Sequence, residues 1–366
     1  MDKIQSHAKL VIVGGGIMGV SLLYHLTKEG WSDVVLIEKS ELTSGSTWHA
    51  AGQCPHMLSS LNLAKIHLHS TNLYKSLEKE TGQPTGFHET GSLRLAYKKE
   101  DLQWFHYVKG ILDIAGSPCS IISTDEIHKY HPFIKLDGIL GAFYTPEDGY
   151  TDPTSTTNAM AKGARDNGAK IYRKNRVTDI EHLPNGEWKV ITEKGNITCE
   201  HIVNAAGSFC PEVSQMVGIK NVPSINMVHQ YLVTESHPEI EKLDKELPVV
   251  RDPDSSSYLR QEGKGLLIGP YEQDVAAWAL DGMDWKFDME LLEPDLDRIE
   301  KHLEKGMDRI PQFKDVGIKR IICGPITHTP DDNFLAGPAP GLKNFWMFCA
   351  ASIGIAHGGG AGKYMA

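Results

Sequence analysis

The first fifty residues contain two short apolar runs separated by a glycine-rich turn and an amphipathic stretch. Residues 10–13 form the first apolar run, and the apolar positions that follow the turn recur at helical spacing: Val20, Leu22, Leu23 and Leu26. A second β-rich run, DVVLIEK, contains Glu38 near its end. The pattern predicts a strand, a helix and a second strand, which is the opening unit of a doubly wound α/β fold.

The turn between the first strand and the helix has the spacing G-x-G-x-x-G, with Gly14, Gly16 and Gly19 at the three positions. Glycine lets the main chain approach a pyrophosphate closely, and the N-terminus of the helix offers free N–H groups to it. Glu38, at the end of the second strand, is placed to accept a hydrogen bond from a ribose hydroxyl. The complete pattern predicts a dinucleotide site, although it does not separate NAD from FAD; the alternative is a tight turn without a ligand.

Apolar residues at helical spacing and short apolar runs typical of strands both recur along the rest of the chain. Residues 62–80 show helical spacing, and the pair Asp152 and Pro153 is a typical start for a second helix that runs to Gly168. Segments such as GSLRLAY, WKVITEKG and HIVNAAG are typical of strands. We therefore expect an α/β fold, in which a Rossmann-type nucleotide-binding domain (1–90, 150–222 and 320–366) is interleaved with a substrate domain (91–149 and 223–319) built on an antiparallel sheet.

Composition narrows the classes of partner. The 366 residues carry a net charge of −10, which argues against nucleic acid. The six cysteines form no C-x-x-C pair, and His67 and His69 point to different sides of a helix, so no metal site is predicted. The apolar stretch 10–26 includes four glycines, which favours the βα unit over a membrane span. We find no targeting pattern and expect a cytoplasmic protein with no membrane partner.

The segment SGSTWHAAG, residues 44–52, places the imidazole of His49 among small residues. Small residues with accessible amides suit a chain that follows the diphosphate of FAD toward its flavin ring. An imidazole at the end of that path is able to bond covalently to the 8α-methyl carbon of the flavin. The residues alone favour the alternative, in which His49 is a buried, hydrogen-bonded histidine.

This segment resembles the corresponding part of the dimethylglycine and sarcosine dehydrogenase family, within the D-amino-acid-oxidase-like flavoproteins. The resemblance covers nearly the whole chain and includes ETGQPTGFHETGSLRLA, NMVHQYLVTE, CGPITHTPDD and GIAHGGGAGKYMA. WHAAG and VHQY are more similar to the dimethylglycine branch. The resemblance implies the D-amino-acid-oxidase-like fold and FAD attached covalently through His49.

Together with the glycine motif, the resemblance implies a set of cofactor-binding residues. These are Gly14, Gly16, Gly19, Glu38, Lys39, Gly45, Ser46, Thr47, Trp48, Ala50, Ala51, Gly52, Val177, Ala206, Gly207, Gly324, Pro325, Gly354, Ile355 and His357. For Val177 and the segment at Ala206 the alternative is simple strand packing. The later glycines have the alternative of tight packing without a ligand.

Two residues are implied as catalytic. His229 alternates with apolar neighbours in NMVHQYLV, and Tyr258 lies in SSSYLRQE. Beside the cofactor they would accept or relay the amine proton and orient the nitrogen lone pair; the alternative is a hydrogen-bonded pair under the sheet. Arg260, two positions beyond Tyr258 on the same strand face, suits a substrate carboxylate. Arg94 is its rival, and a structural ion pair is the alternative for both arginines.

The reaction implied is oxidative N-demethylation of N,N-dimethylglycine, with a hydride passing from the N-methyl group to flavin N5 and an iminium forming on nitrogen. The same chemistry on sarcosine or another N-methyl amino acid is one alternative, and a non-catalytic flavoprotein-like regulatory subunit is another. Electrons would pass to an electron-transfer flavoprotein or to oxygen. Family members continue into a tetrahydrofolate-binding half that this sequence lacks, so we expect a fragment and predict no folate site in it.

Overall fold

The structure is a computed structural model that describes residues 4–366. The strands are β1 His7–Val13, β2 Val34–Ile37, β3 Gln53–Cys54, β4 Ser92–Ala96, β5 Ser120–Ile122, β6 Gly141–Thr145, β7 Gly149–Tyr150, β8 Lys170–Tyr172, β9 Val177–His182, β10 Trp188–Thr192, β11 Gly195–Asn204, β12 Ile225–Thr234, β13 Val249–Asp252, β14 Ser257–Glu262, β15 Gly265–Pro270, β16 Ala277–Trp278, β17 Ile318–His328, β18 Leu335–Pro338 and β19 Phe345–Cys349. The helices are α1 Ile17–Lys28, α2 Leu61–Thr81, α3 Lys99–Ala115, α4 Thr124–Tyr130, α5 Pro153–Asp166, α6 Cys210–Gln215, α7 Pro238–Glu241, α8 Leu296–Arg309 and α9 Gly354–Met365.

Sheet I has the strand order β18-β19-β11-β1-β2-β8, and β10 and β9 extend it from β11 as an antiparallel ribbon. Its centre is parallel, because β1 pairs in parallel with both β11 and β2. The residues of β2 are all buried, which is typical of a parallel strand covered on both faces. The predicted βα unit is confirmed: β1, α1 and β2 follow one another where the apolar pattern indicated.

Helices α1, α2, α5 and α9 pack against one another beside sheet I. The third glycine of the motif lets α1 approach the end of β1, because a Cβ on Gly19 would collide with the carbonyl oxygen of Gly14. At α5 the side chain of Asp152 accepts a hydrogen bond from the Ser155 amide at 2.6 Å, with Pro153 as the first helical residue. The helix start predicted from Asp152 and Pro153 is therefore confirmed.

Sheet II has the order β16-β12-β15-β14-β13-β4-β6-β5, and β17 pairs with β12 over almost its whole length. Its pairs are antiparallel except β4 with β13, which run in parallel. Helix α8 packs against β14 and β15 through Ile299 and Leu303. The mixed α/β architecture agrees with the expected fold class, with this one parallel pair as a departure from a purely antiparallel second sheet.

The strands of sheet I lie within 1–90, 150–222 and 320–366, and most strands of sheet II lie within 91–149 and 223–319. Strand β17 is the exception, because the boundary expected at residue 320 falls inside it and its whole length pairs with sheet II. The apolar pattern of β17 is typical of a core strand in either sheet. Only its pairing with β12 shows that it belongs to sheet II. The division into two domains otherwise stays a prediction.

The carboxyl ends of β1, β2, β11 and β19 meet at one edge of sheet I. Val13 and Asn204, the last residues of β1 and β11, are register partners, and Val13 also pairs with Ile37 at the end of β2. The turns that follow these strands therefore gather in one place, where open α/β sheets usually bind ligands.

Candidate active site

An elongated cavity begins at this edge of sheet I and reaches the face of sheet II. It encloses about 1790 Å³ of space between protein atoms, including its mouth to solvent. We call the part lined by residues 14–16, 38–39 and 205–208 the nucleotide end. The part lined by His229, Arg251, Tyr258 and Tyr271 is the aromatic end.

Main-chain groups dominate the nucleotide end. Gly14 has a φ of +116°, and a Cβ there would lie 2.7 Å from the carbonyl carbon of Ala205 and closer still to its oxygen, so glycine is required. The Gly15 amide donates to the carboxylate of Glu38 at 2.7 Å, and the Ser40 amide donates to its other oxygen at 2.8 Å. Burial raises the pKa of the Glu38 carboxyl, although both amides oppose that rise.

The N-terminus of α1 opens into the cavity. Gly16 is the residue before the helix and, without a side chain, makes no capping hydrogen bond. The Ile17 amide donates to the Thr47 hydroxyl at 3.1 Å. A helix N-terminus favours an anionic group because of its free amides and dipole. Ser46 donates to the Pro325 carbonyl at 2.7 Å, which ties the segment 44–52 to β17.

Aromatic side chains from outside sheet I cover the nucleotide end. Trp285 stacks on Phe209 with ring centroids 5.0 Å apart, and the Arg176 guanidinium lies 5.4 Å from the Trp285 ring. The Lys39 ammonium donates to the Phe287 carbonyl at 2.7 Å. The sequence interpretation missed Phe209, Trp285 and Phe287. For Trp285 and Phe287 the only signal was the density of aromatic residues between 278 and 287, which no local motif connects to a nucleotide.

His49 lies between the two ends. Its side chain is buried, and its Nε2 has no hydrogen-bond partner among residues 4–366. Burial lowers the pKa of His49 to about 4, so the imidazole is neutral at pH 7. Trp48 packs edge-on against the ring at 5.7 Å. His49 lines the cavity, and a neutral imidazole with an unpartnered nitrogen is a competent nucleophile.

His229 and Tyr258 meet at the aromatic end, with His229 Nε2 3.0 Å from the Tyr258 hydroxyl. Tyr271 stacks on His229 at 5.1 Å with an interplanar angle of 23°. A Cβ on Gly269, the cross-strand partner of Tyr258, would overlap the phenol ring. Glycine at 269 therefore provides the space in which Tyr258 can turn its hydroxyl toward His229.

Both members of this pair are uncharged at neutral pH. Burial, with a smaller contribution from His49, lowers the pKa of His229 to about 3. Burial also raises the pKa of Tyr258 well above its usual range. The pair therefore offers a hydroxyl and an imidazole without a net charge that would repel a cationic amine.

The structure does not bring Arg260 into the cavity. Its guanidinium forms an ion pair with Glu262 at 2.7 Å, donates to the Ala51 carbonyl at 3.2 Å and lies 4.0 Å from the Tyr150 ring. Two residues along a strand advance by about 6.6 Å, which carries Arg260 past the cavity that Tyr258 lines.

Arg251 lines the cavity in place of Arg260. It lies opposite Tyr258 in the β13–β14 register, 5.4 Å from the Tyr258 ring and 5.9 Å from the Tyr271 ring. No acidic side chain among residues 4–366 forms an ion pair with it. Arg94, the rival candidate, pairs with Arg251 across β4 and β13 but packs on Trp104 at 5.1 Å, away from the cavity lining.

Most of the residues expected at the cofactor do line the cavity. They are Gly14, Gly16, Glu38, Lys39, Gly45, Ser46, Thr47, Ala50, Ala51, Gly52, Val177, Ala206, Gly207, Pro325, Gly354 and Ile355. Gly19, Trp48 and Gly324 lie behind the lining, against Gly14 and His49.

His357 is also outside the lining and belongs to the packing of α9. Its ring is 4.9 Å from that of His67 on α2 and 5.0 Å from that of Phe334. Burial lowers the pKa of His357 to about 4. Gly354 and Ile355 in the first turn of α9 line the cavity. The side chain of His357 packs against His67 on α2 instead.

Two other features are absent from residues 4–366. None of the helices there combines the length and the apolar character needed to cross a bilayer. No group of three or more His, Cys, Asp or Glu side chains there is arranged to hold a metal ion.

The cavity fits a dinucleotide that carries a flat ring. Its glycine turn and helix N-terminus suit a pyrophosphate, Glu38 suits a ribose, and the unpartnered His49 nitrogen lies between these groups and the aromatic end. This fold and lining define a dinucleotide-dependent oxidoreductase. The profile of the family described as "FAD dependent oxidoreductase" matches residues 9–366. The chain belongs to this family, and FAD is the cofactor that the membership assigns to it.

Comparison with known proteins gives a consistent result. Over 366 residues the chain is 45% identical to the mitochondrial dimethylglycine dehydrogenase of Rattus norvegicus, and the match covers 99% of the chain. It is 34% identical over 370 residues to the mitochondrial sarcosine dehydrogenase of Homo sapiens, again over 99% of the chain. Among solved structures, L-proline dehydrogenase from P. horikoshii superposes with a TM-score of 0.86 at 26% identity, over 98% of this chain and 92% of that one.

The chain spans less than half the length of these two sequence relatives. The match covers 43% of the rat dimethylglycine dehydrogenase and 40% of the human sarcosine dehydrogenase. Both relatives are mitochondrial proteins, so the expected cytoplasmic location is not confirmed and stays a prediction.

Proposed function

We propose that this chain forms the flavin-binding part of an enzyme that oxidises an N-methyl group of N,N-dimethylglycine. The observation that carries the proposal is the meeting of His229, Tyr258 and Arg251 at one end of a cavity whose other end is built for a dinucleotide. A small methylated amino acid presents one amine and one carboxylate. The aromatic end presents one uncharged pair for the amine and one free guanidinium for the carboxylate.

Arg251 binds the carboxylate in this proposal. Its planar fork is able to donate two parallel hydrogen bonds to a carboxylate, and the cavity gives that contact a partly dehydrated setting. Its place over the Tyr258 and Tyr271 rings fixes the direction of the fork. We therefore assign to Arg251 the role that the same-face rule along the strand gave to Arg260.

His229 and Tyr258 handle the amine. An ammonium nitrogen has no lone pair, so the substrate must lose its N–H proton before a methyl carbon can give up hydride. The Tyr258 hydroxyl donates a hydrogen bond to His229 Nε2, which leaves the Tyr258 oxygen able to accept one from the amine and to orient its lone pair. The Tyr271 ring stacks on His229 and holds the imidazole in place while it acts.

FAD, when bound, supplies the acceptor for the hydride. The residues that would hold it are the glycine turn, Glu38, Lys39 and the segment 44–52 that lines the cavity. His49 would bond to it covalently, because its ring lines the cavity, is uncharged at pH 7 and has an Nε2 without another partner. The iminium released by the oxidation would hydrolyse to formaldehyde and the demethylated amine.

Two other functions compete with this one. Sarcosine or another N-methyl amino acid would use the same side chains, because it also offers an amine and a carboxylate. A non-catalytic regulatory subunit would bind the cofactor without oxidising an amine. A regulatory role would not require His49, His229 and Tyr258 to be present together around the same cavity, which supports the enzymatic proposal.

The test is anaerobic mixing of the FAD-loaded protein with dimethylglycine, sarcosine and glycine betaine, while the oxidised flavin absorbance is followed. We expect dimethylglycine to bleach the absorbance fastest. Glycine betaine is the matched control, since its quaternary nitrogen cannot provide a lone pair. Bleaching by sarcosine alone would identify sarcosine, in place of dimethylglycine, as the substrate. If no N-methyl amino acid bleaches the flavin, the regulatory subunit is favoured.

The same sample identifies the electron acceptor, for which an electron-transfer flavoprotein and oxygen are the two candidates. After complete bleaching by dimethylglycine, air is admitted. We propose the electron-transfer flavoprotein as the partner. We therefore expect the flavin to recover its colour in air much more slowly than dimethylglycine bleached it. Recolouring as fast as bleaching would assign the acceptor role to oxygen.

A further inference from the structure

We infer that Gly324 is a positioning residue for His49: its missing side chain leaves the space in which the imidazole stands when it bonds to the cofactor. The inference rests on the covalent linkage proposed above and extends it to a residue that makes no contact with the cavity. Gly324 lies in the middle of β17, opposite His229 on β12.

The main-chain conformation does not explain glycine at this position. Gly324 is part of a regular strand, and its φ is outside the left-handed region that favours glycine. Glycine within a strand weakens the strand and commonly marks a place where another group approaches closely. Glycine at position 324 is therefore explained by another group that approaches the strand closely.

The approaching group is the imidazole of His49. A Cβ on residue 324 would lie 2.6 Å from Cε1, 2.7 Å from Nε2 and 2.9 Å from Nδ1 of that ring. All three distances are shorter than real Cβ contacts. An aromatic ring cannot fold away from such a contact as a flexible chain would, so alanine at 324 must displace the whole imidazole.

The main chain of His49 is restrained at the same time. The Tyr231 hydroxyl donates to the His49 carbonyl oxygen at 3.1 Å, and Tyr231 stands two residues after His229 on β12. Strands β12 and β17 thus hold the histidine from two sides, by a hydrogen bond to its main chain and by a gap under its ring. The ring therefore has little freedom to leave its position in the cavity lining.

Orientation matters because the linkage is a substitution at one carbon. Net, a bond forms between the His49 nitrogen and the 8α carbon, while one N–H bond and one C–H bond break. The two hydrogens, with their electrons, pass to dioxygen as the co-reactant and leave as hydrogen peroxide. A misplacement of about 1 Å can slow such a reaction about 100-fold.

The test compares wild type, Gly324→Ala and Gly317→Ala after incubation with FAD in air. Gly317 precedes the same strand, and a Cβ there would meet only the Glu235 side chain at 4.0 Å, so it is the matched control. Flavin that stays with acid-precipitated protein is measured by fluorescence on a denaturing gel. We expect the initial rate of covalent attachment to fall at least about tenfold in Gly324→Ala and to stay at the wild-type level in Gly317→Ala.

A second measurement separates positioning from general damage to the strand. The thermal midpoints of the FAD-free proteins are compared for Gly324→Ala in wild type and in His49→Ala, where the ring is gone. We expect alanine at 324 to lower the midpoint by about 4 °C in wild type and by less than about 1 °C in His49→Ala. Equal losses in both backgrounds would overturn the inference.

The outcomes also distinguish this inference from the proposal beneath it. A wild-type protein without acid-stable flavin would overturn the linkage, and the inference with it. Acid-stable flavin that forms equally fast in wild type and Gly324→Ala would leave the linkage standing and remove Gly324 from its formation.

Discussion

The two ends of the cavity use different parts of the polypeptide. The nucleotide end presents amides and carbonyls from turns that follow parallel strands, and its side chains are mostly absent or small. The aromatic end presents the side chains of His229, Arg251 and Tyr258 from three strands of sheet II, β12, β13 and β14. The first end recognises a ligand by the shape of the main chain, and the second by the chemistry of individual side chains.

This difference determines which substitutions each end tolerates. The nucleotide end is sensitive to added atoms, because a methyl group at a glycine collides with main chain that has no freedom to move. The aromatic end is sensitive to removed atoms, because each function there belongs to one hydroxyl, one imidazole or one guanidinium. The experiments below test that contrast.

The largest effect is expected from Gly14→Ala. The added Cβ would collide with the carbonyl of Ala205, and the φ of +116° is strained for any other residue. We expect the affinity for FAD to fall at least about 100-fold, which corresponds to about 2.7 kcal/mol. Affinity is measured by flavin fluorescence in the His49→Ala background, so that binding stays reversible.

Gly110→Ala is the control for this substitution. Gly110 lies on α3, where a Cβ would meet open space and the backbone φ is not positive. Its FAD affinity should equal that of the parent protein. Unchanged affinity in Gly14→Ala would mean that the turn adapts to a side chain, and the contrast between the two ends would fail.

A smaller effect is expected from Tyr258→Phe, which removes one oxygen atom at the other end. The substitution deletes the hydroxyl that contacts His229 Nε2 at 3.0 Å and leaves the ring in its space beside Gly269. We expect anaerobic flavin reduction by dimethylglycine to slow about 100-fold, the lower end of what positioned acid–base groups contribute. FAD affinity should stay the same. Stopped-flow absorbance gives the reduction rate, and flavin fluorescence in the His49→Ala background gives the affinity.

Tyr107→Phe is the matched control, because Tyr107 is 60% exposed on α3 and does not line the cavity. Its reduction rate should equal the wild-type rate. A Tyr258→Phe variant that is reduced at the wild-type rate would show that the hydroxyl only packs, as the alternative to a catalytic role holds.

The nucleotide end could be predicted because its determinants are contiguous. Strand, glycine turn, helix and Glu38 all lie within one βα unit, so the spacing of residues already specifies their geometry. The residues from Gly45 to Gly52 follow at once along the chain, and most of them line the cavity. Trp285 and Phe287 reach the same end from a distant irregular segment, and nothing local to them indicates where that segment lies.

The aromatic end depends on strand register, which the sequence does not state. His229 and Tyr258 were found through the family resemblance, and the residues alone favoured a structural pair. The expectation for Arg260 used the same-face rule along one strand. Arg251 is closer to Tyr258 because residues directly opposite each other have Cβ atoms about 5 Å apart, less than the distance between alternate residues of a strand.

The two arginines provide the last and smallest test of the contrast. In Arg251→Met the substrate carboxylate loses its partner, so we expect KM for dimethylglycine to rise about tenfold, from the loss of about 1.5 kcal/mol of charged hydrogen bonding. The thermal midpoint should change little, because Arg251 has no ion pair among residues 4–366 to lose. Steady-state kinetics and thermal unfolding are measured on the same preparation.

Arg260→Met should behave in the opposite way. This arginine is 7% exposed and bonded to Glu262 and to the Ala51 carbonyl, so its loss leaves partners unsatisfied and should cost about 1–3 kcal/mol of stability. KM should stay within about twofold of wild type, because a change below about 0.4 kcal/mol is expected for a residue outside the cavity. If Arg260→Met raises KM and Arg251→Met lowers only stability, the carboxylate is bound by Arg260, and the same-strand rule was the better guide to this end of the cavity.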